Sequence, residues 1–190
     1  MRYLALLRGI NVGGKNLIAM PDIRRIFEGL GCKNVTTYIQ SGNVLFESKL
    51  KNAVRLSVTI EKALAAEFAC TSPVVIVPKE QLESVVKNAP PAFGGDPTQY
   101  RYDVVFVRPP LRARAVLPTI SLKAGVDEAS EGNGVLYLKR LIIRASQSYL
   151  PKVTRNAAYK SMTIRNWNTT RELCRLISFP TGTDCVGAVL

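Results

Sequence analysis

The chain has 190 residues, a length for one domain or two small lobes sharing a core, and 47% of them are apolar, which excludes wholesale disorder. Its net charge is +12, from 26 Lys and Arg against 14 Asp and Glu, a field that favours polyanions or phosphate-bearing ligands. There is no histidine, which removes Ser-His-Asp triads, Cys-His dyads, histidine metal sites and most general acid–base catalysis.

The first element is a short apolar run, Arg2 to Leu7, that reads as a buried strand. Arg2 and Arg8 interrupt this apolar start, and it lacks the long apolar region and small-residue cleavage site of a signal peptide. No run reaches the roughly 18 apolar residues of a membrane span, so a cytoplasmic location and no membrane partner are expected. A Gly-rich polar loop follows to about Met20. Pro21 then suits a first helical turn, Ile23, Ile26, Phe27 and Leu30 form one apolar face, and Gly31 ends the helix.

Residues 35–39 and 44–47 read as two strands joined by Gln40-Ser41-Gly42-Asn43, a polar hairpin turn. A helical stripe over 53–68 and a β-branched strand over 73–77 complete a β-α-β-β-α-β order, that of a ferredoxin-like unit. A helix is expected over 79–89. The stretch Pro90 to Pro97 is the clearest break in the chain.

After the break the pattern restarts. Arg101-Tyr102 leads into an apolar strand ending near Arg108, echoing Arg2-Tyr3 and Arg8. A short helix follows Pro110, and strands near 125–129 and 135–140 flank Gly132-Asn133-Gly134. Residues 148–159 read as a helix with Pro151 in its first turn. Thr169-Thr170-Arg171-Glu172 reads as a capping box for a last helix. The expected fold is α+β, two ferredoxin-like βαββ-based lobes from an internal duplication with a C-terminal helical segment. The lobes span 1–89 and 98–178, and 179–190 is a Gly- and Thr-rich tail.

Gly9-Ile10-Asn11-Val12-Gly13-Gly14-Lys15-Asn16 resembles a P-loop but falls short of it. Asn16 lacks the hydroxyl that would hold Mg²⁺, and Pro21 would break a helix begun near Lys15. Its glycines can still present backbone N–H groups to an anion, with Arg8 and Lys15 on either side; the alternative is a connection that needs Gly for its backbone angles. Arg165-Asn166-Trp167-Asn168-Thr169 holds the single Trp amid the densest charge. Trp167 either stacks on a ligand or anchors the last helix in the core. Residues 139–175 carry nine basic groups against one acid, Glu172. Neither hairpin strand carries the aromatic signature of an RNA-recognition sheet. Cys32, Cys70, Cys174 and Cys185 lack the paired spacing of a zinc site, so reduced, mostly buried thiols are expected, with no metal and no cofactor.

Leu6 to Gly14, Tyr38 to Val44 and Thr163 to Thr169 resemble, in that order, three signatures of a bacterial family called domain of unknown function 1697. The resemblance implies a bacterial cytosolic protein of two ferredoxin-like lobes, and it implies no substrate, cofactor or catalytic residue.

The expected function is non-catalytic binding of a small anionic or phosphorylated ligand. Arg8, Asn11, Gly13, Gly14 and Lys15 would form one wall, with Gln40, Ser41 and Asn43 beside it and Arg165 and Asn166 reaching in. The alternatives are sequence-indifferent nucleic-acid binding through 139–175 and an enzyme using a carboxylate or tyrosine. The latter is weakened because no acidic pair falls within these motifs.

Overall fold

The computed structural model describes residues 1–11, 18–68 and 72–179. Its first half runs β1 (Arg2–Leu7), α1 (Met20–Gly29), β2 (Lys33–Tyr38), β3 (Asn43–Glu47), α2 (Ala53–Phe68), β4 (Val74–Pro78) and α3 (Lys79–Lys87). The second half runs β5 (Tyr100–Val107), α4 (Ala113–Val116), β6 (Asp127–Gly132), β7 (Val135–Leu141), β8 (Met162–Asn166) and α5 (Trp167–Ser178). Each half forms one four-stranded antiparallel sheet, ordered β2-β3-β1-β4 and β6-β7-β5-β8. The two orders are equivalent, position for position.

Strand alternation splits each sheet's side chains between two layers. Tyr3, Ala5 and Leu7 pack under α1 and α2 with Ile23, Phe27, Ile60 and Leu64. Leu4 and Leu6 face the other way and share a core with Leu82 and Val85 of α3 and Leu173 and Ile177 of α5. Tyr102, Val104, Phe106, Val135 and Tyr137 of the second sheet close that core from the far side. Helices α3 and α5 therefore form a middle layer between the sheets. Each fully buried Leu, Ile, Val or Phe contributes about 1.5–3 kcal/mol, so this layer binds the halves more strongly than any single polar contact. Phe93, in the break between the halves, packs edge-to-face on Tyr102, Tyr137 and Trp167 at 5.0, 5.2 and 5.1 Å.

Two expectations are corrected and one strand is added. The helix over 148–159 is replaced by 3-10 turns over 150–155 and 157–161. Asn156 interrupts them with extended backbone, its side chain accepting from Ala158 N at 2.8 Å. The segment 162–166 is a strand, β8, paired with β5. The N-cap of α5 is Asn166 rather than Thr169: Asn166 Oδ1 accepts from Asn168 N at 2.9 Å, satisfying a first-turn donor three residues earlier.

Candidate functional site

Strand β8 carries Arg165 and Asn166 to opposite faces of its sheet, so the expected site divides in two. Arg165 points toward the first half. Its Nε donates to Asn43 Oδ1 at 2.6 Å, and its Nη2 to the carbonyls of Leu7, Ser41 and Gly42 at 2.9, 3.0 and 3.3 Å. Nη1 donates to Thr163 Oγ1 and Ile164 O at 3.0 and 2.9 Å. Every partner is neutral. Although the residue as a whole is half-buried, desolvation of its guanidinium lowers the pKa to about 10, partly offset by Tyr159.

The hairpin is shaped to receive that side chain. Asn43, fully buried in β3 rather than at the turn tip, donates to Tyr38 O at 3.1 Å and Ser41 Oγ at 2.9 Å. Gly42 has φ +72°, and a Cβ there would lie 2.9 Å from Leu7 Cβ and 3.0 Å from Leu7 O. Only Gly permits both the angle and the approach. Arg8 lies at the same junction. Its guanidinium donates to Tyr159 O and, at 3.5 Å, to Met162 O, and stands 4.9 Å from the Tyr159 ring centroid. Asn11 folds back on its own loop, donating to Ile18 O at 3.0 Å and accepting from Ile18 N at 2.8 Å. Gln40 is exposed. Gly13, Gly14 and Lys15 lie outside the described residues, as do Cys70 and Cys185. The junction thus gathers Arg8, Ser41, Asn43 and Arg165, with their side chains bonded to one another or to backbone.

A second ion pair ties the halves nearby. Arg108 donates to both carboxylate oxygens of Glu61 at 2.5 and 3.3 Å, and Glu61 also accepts from Val74 N on the edge strand β4 at 2.8 Å.

Asn166 lies at a different place, the rim of a hollow of about 370 Å³. The start of β5, the end of β7 and the start of α5 meet there, bringing together Tyr100, Arg101, Tyr102, Arg140, Asn166, Trp167 and Asn168. Pairing of β5 with β7 sets Arg101 directly opposite Arg140, a like-charge placement that costs stability unless something neutralises it. Arg101 is neutralised by Asp103, at 2.7 and 3.2 Å, and that bonding raises its pKa.

Arg140 has no such partner. Asp127 stands opposite it on β6, but its carboxylate accepts from Ser148 Oγ, Tyr149 N and Lys123 N at 2.6, 2.7 and 3.0 Å. Among the described residues Arg140 Nε is the one buried side-chain polar atom without a hydrogen-bond partner. Such a donor costs about 1–3 kcal/mol, more when charged. Trp167, 6% exposed, anchors α5 in the middle layer. Its indole Nε1 lies against Gly94, where a Cβ would come within 2.2 Å of it. Sequence reasoning named Asn166 and Trp167 but missed Arg101 and Arg140 as a pair, because their proximity depends on strand register.

Cys32 is buried and free, and burial pushes its thiol pKa up; Cys174 is half-buried, its pKa raised first by burial and then by Glu83. Neither favours a thiolate nucleophile. Among the described residues no group of His, Cys, Asp and Glu is placed to hold a metal ion, and no helix is long and apolar enough to cross a membrane.

A family model described as protein of unknown function (DUF1697) matches residues 1–137. The chain is also similar to a solved structure, that of conserved bacterial protein SP0830 from Streptococcus pneumoniae. The two are 27% identical, the match covers 93% of this chain and 98% of that one, and the TM-score is 0.81. No curated protein matches.

Proposed function

The chain belongs to the DUF1697 family, a membership that carries no ligand, and from the geometry we propose that it is a non-catalytic binding protein for a small anionic ligand, held in the hollow beside Arg140. One observation carries this reading: Arg140, whose buried Nε has no acceptor among the described residues, lines a hollow large enough for a ligand. An anionic oxygen there would supply the missing acceptor for Arg140 Nε. The neighbouring N-terminus of α5 adds a favourable dipole, and Tyr100 provides an aromatic wall. Asn166 belongs to this site. Arg8, Ser41, Asn43 and Arg165 hold the junction instead, because their polar atoms are engaged there, and Asn11 is bonded to Ile18 of its own loop. We read the two sheets, by their shared strand order, as ferredoxin-like units, and the free Cys32 and Cys174 as fitting the cytoplasm.

Thermal-shift titration with phosphate, nucleoside monophosphates and aromatic carboxylates tests the proposal. A ligand present at 100 times its Kd should stabilise the fold by about 2.7 kcal/mol, and Arg140→Leu should abolish the shift while Arg8→Leu should not. No shift with any of these anions at millimolar concentration, or an equal shift in Arg140→Leu, would sink it.

A further inference from the structure

We propose that the outer face of the second half is a docking surface for single-stranded nucleic acid, gripped through its phosphodiester backbone. Residues 111–120 and 150–159 cover the outer face of the second sheet, burying Ala113, Val116, Ile120, Leu150 and Val153 against it, within the longer stretches 108–126 and 142–161. Neither stretch contains a single Asp or Glu. Lys152 and Arg155 of this cover, Lys160 next to it and Arg144 in the turn that leads to it are exposed, and none takes part in an ion pair among the described residues. Arg112 and Arg114 extend the surface to a groove that Glu80 and Glu131 also line.

The matching layer of the first half is built otherwise. In α1 and α2, Arg24, Arg25, Arg55 and Lys62 are interspersed with Asp22, Glu28, Glu61 and Glu67. Of the two outer coverings, only that of the second half is basic without acids. Cations on one side of a protein with few acids among them raise its local positive potential; a polyanion lowers it and releases its own condensed counterions. Guanidinium forks suit phosphate oxygens.

The secondary structure selects among polyanions. A membrane-surface element would be an extended amphipathic helix, whereas the one α-helix described in this layer is the four-residue α4. Major-groove reading of a duplex needs an inserted helix or β-ribbon, and the layer is made of 3-10 turns and connections. A flexible single strand can follow such a surface. Ile143, 88% exposed, and half-buried Tyr149 offer contacts to its bases.

The test is fluorescence anisotropy of a labelled oligothymidylate with the full chain, titrated across salt concentrations. Affinity should fall steeply with salt, with a log–log slope of about 0.7 per phosphate contact. Combining Arg144→Glu, Lys152→Glu, Arg155→Glu and Lys160→Glu should weaken binding more than about tenfold and flatten the slope. The same positions changed to Ala, with the melting temperature retained, should give a smaller loss in the same direction. Arg24→Glu, Arg55→Glu and Lys62→Glu in the first half should leave affinity unchanged. The proposal is overturned if the wild-type chain shows no salt-dependent binding, or if the first-half variant loses as much. It is overturned equally if a duplex of the same length or phosphatidylserine vesicles bind more tightly than the strand. None of the four altered second-half residues lines the hollow, so this result and that of the small-ligand titration are read separately.

Discussion

At the junction between the halves, Arg165 directs its guanidinium at oxygens of Leu7, Ser41, Gly42, Asn43, Thr163 and Ile164. In the same sheet, Arg140 keeps a buried Nε with no acceptor among the described residues. The side chains are chemically identical, so the contrast isolates what the surroundings do. Where loop carbonyls converge, a guanidinium fastens backbone, and taking it away strands several acceptors in a dry place. Where the carboxylate opposite is already engaged by Ser148 and Tyr149, the guanidinium is a cost to the free fold and, in the proposed function, the group that a ligand would satisfy.

The two sites should therefore respond oppositely to removal of the charge. Arg165→Met should cost about 3 kcal/mol or more, since hydrogen bonds to charged groups are worth about 1.5–3 kcal/mol each and are not additive; urea unfolding measures this, and a loss under about 1 kcal/mol would break the contrast. Gly42→Ala sharpens it from the other partner: forcing a Cβ against Leu7 at positive φ should cost about 1–3 kcal/mol without altering ligand shifts. Arg140→Leu should leave stability within about 0.5 kcal/mol of the parent, or raise it, while removing the anion-induced shift in melting temperature.

The smallest effect belongs to the exposed face of α5. Hydrogen bonding to Arg175, and secondarily its charge, hold the Glu172 carboxyl below its usual range. A carboxylate whose folded pKa is lowered contributes stability above its unfolded pKa and loses it as pH falls through the folded one. Glu172→Gln should therefore cost about 0.2–0.5 kcal/mol near neutrality and nothing in acid, as urea midpoints across pH would record.

Much of this architecture was legible in the chain. The buried run at Arg2–Leu7, the helical stripes of α1 and α2 and the two hairpins follow from local periodicity and turn chemistry, which a sequence carries directly. The 3-10 segment was harder. Residues 148–159 offered apolar spacing close to helical, and the interruption at Asn156 depends on its side chain reaching Ala158. Strand β8 was read only as a motif, although Met162-Thr163-Ile164 carries a β-branched signal. That omission decided the fate of the candidate site. With no strand assigned, Arg165 and Asn166 could serve one pocket; as consecutive strand residues they must face apart. The pairing of Arg101 with Arg140 was illegible for a different reason, since register between strands far apart in the chain is fixed by tertiary packing.

The middle layer of α3 and α5 has a consequence for how such a molecule can change over time. With both sheets buried against the same two helices, a chain severed between Pro90 and Pro97 would leave two pieces, each with a bare greasy face, and neither piece could be inherited, traded or lost alone. Substitution should be best tolerated on the two outward coverings, where one half carries long, charge-balanced helices and the other short turns without acids.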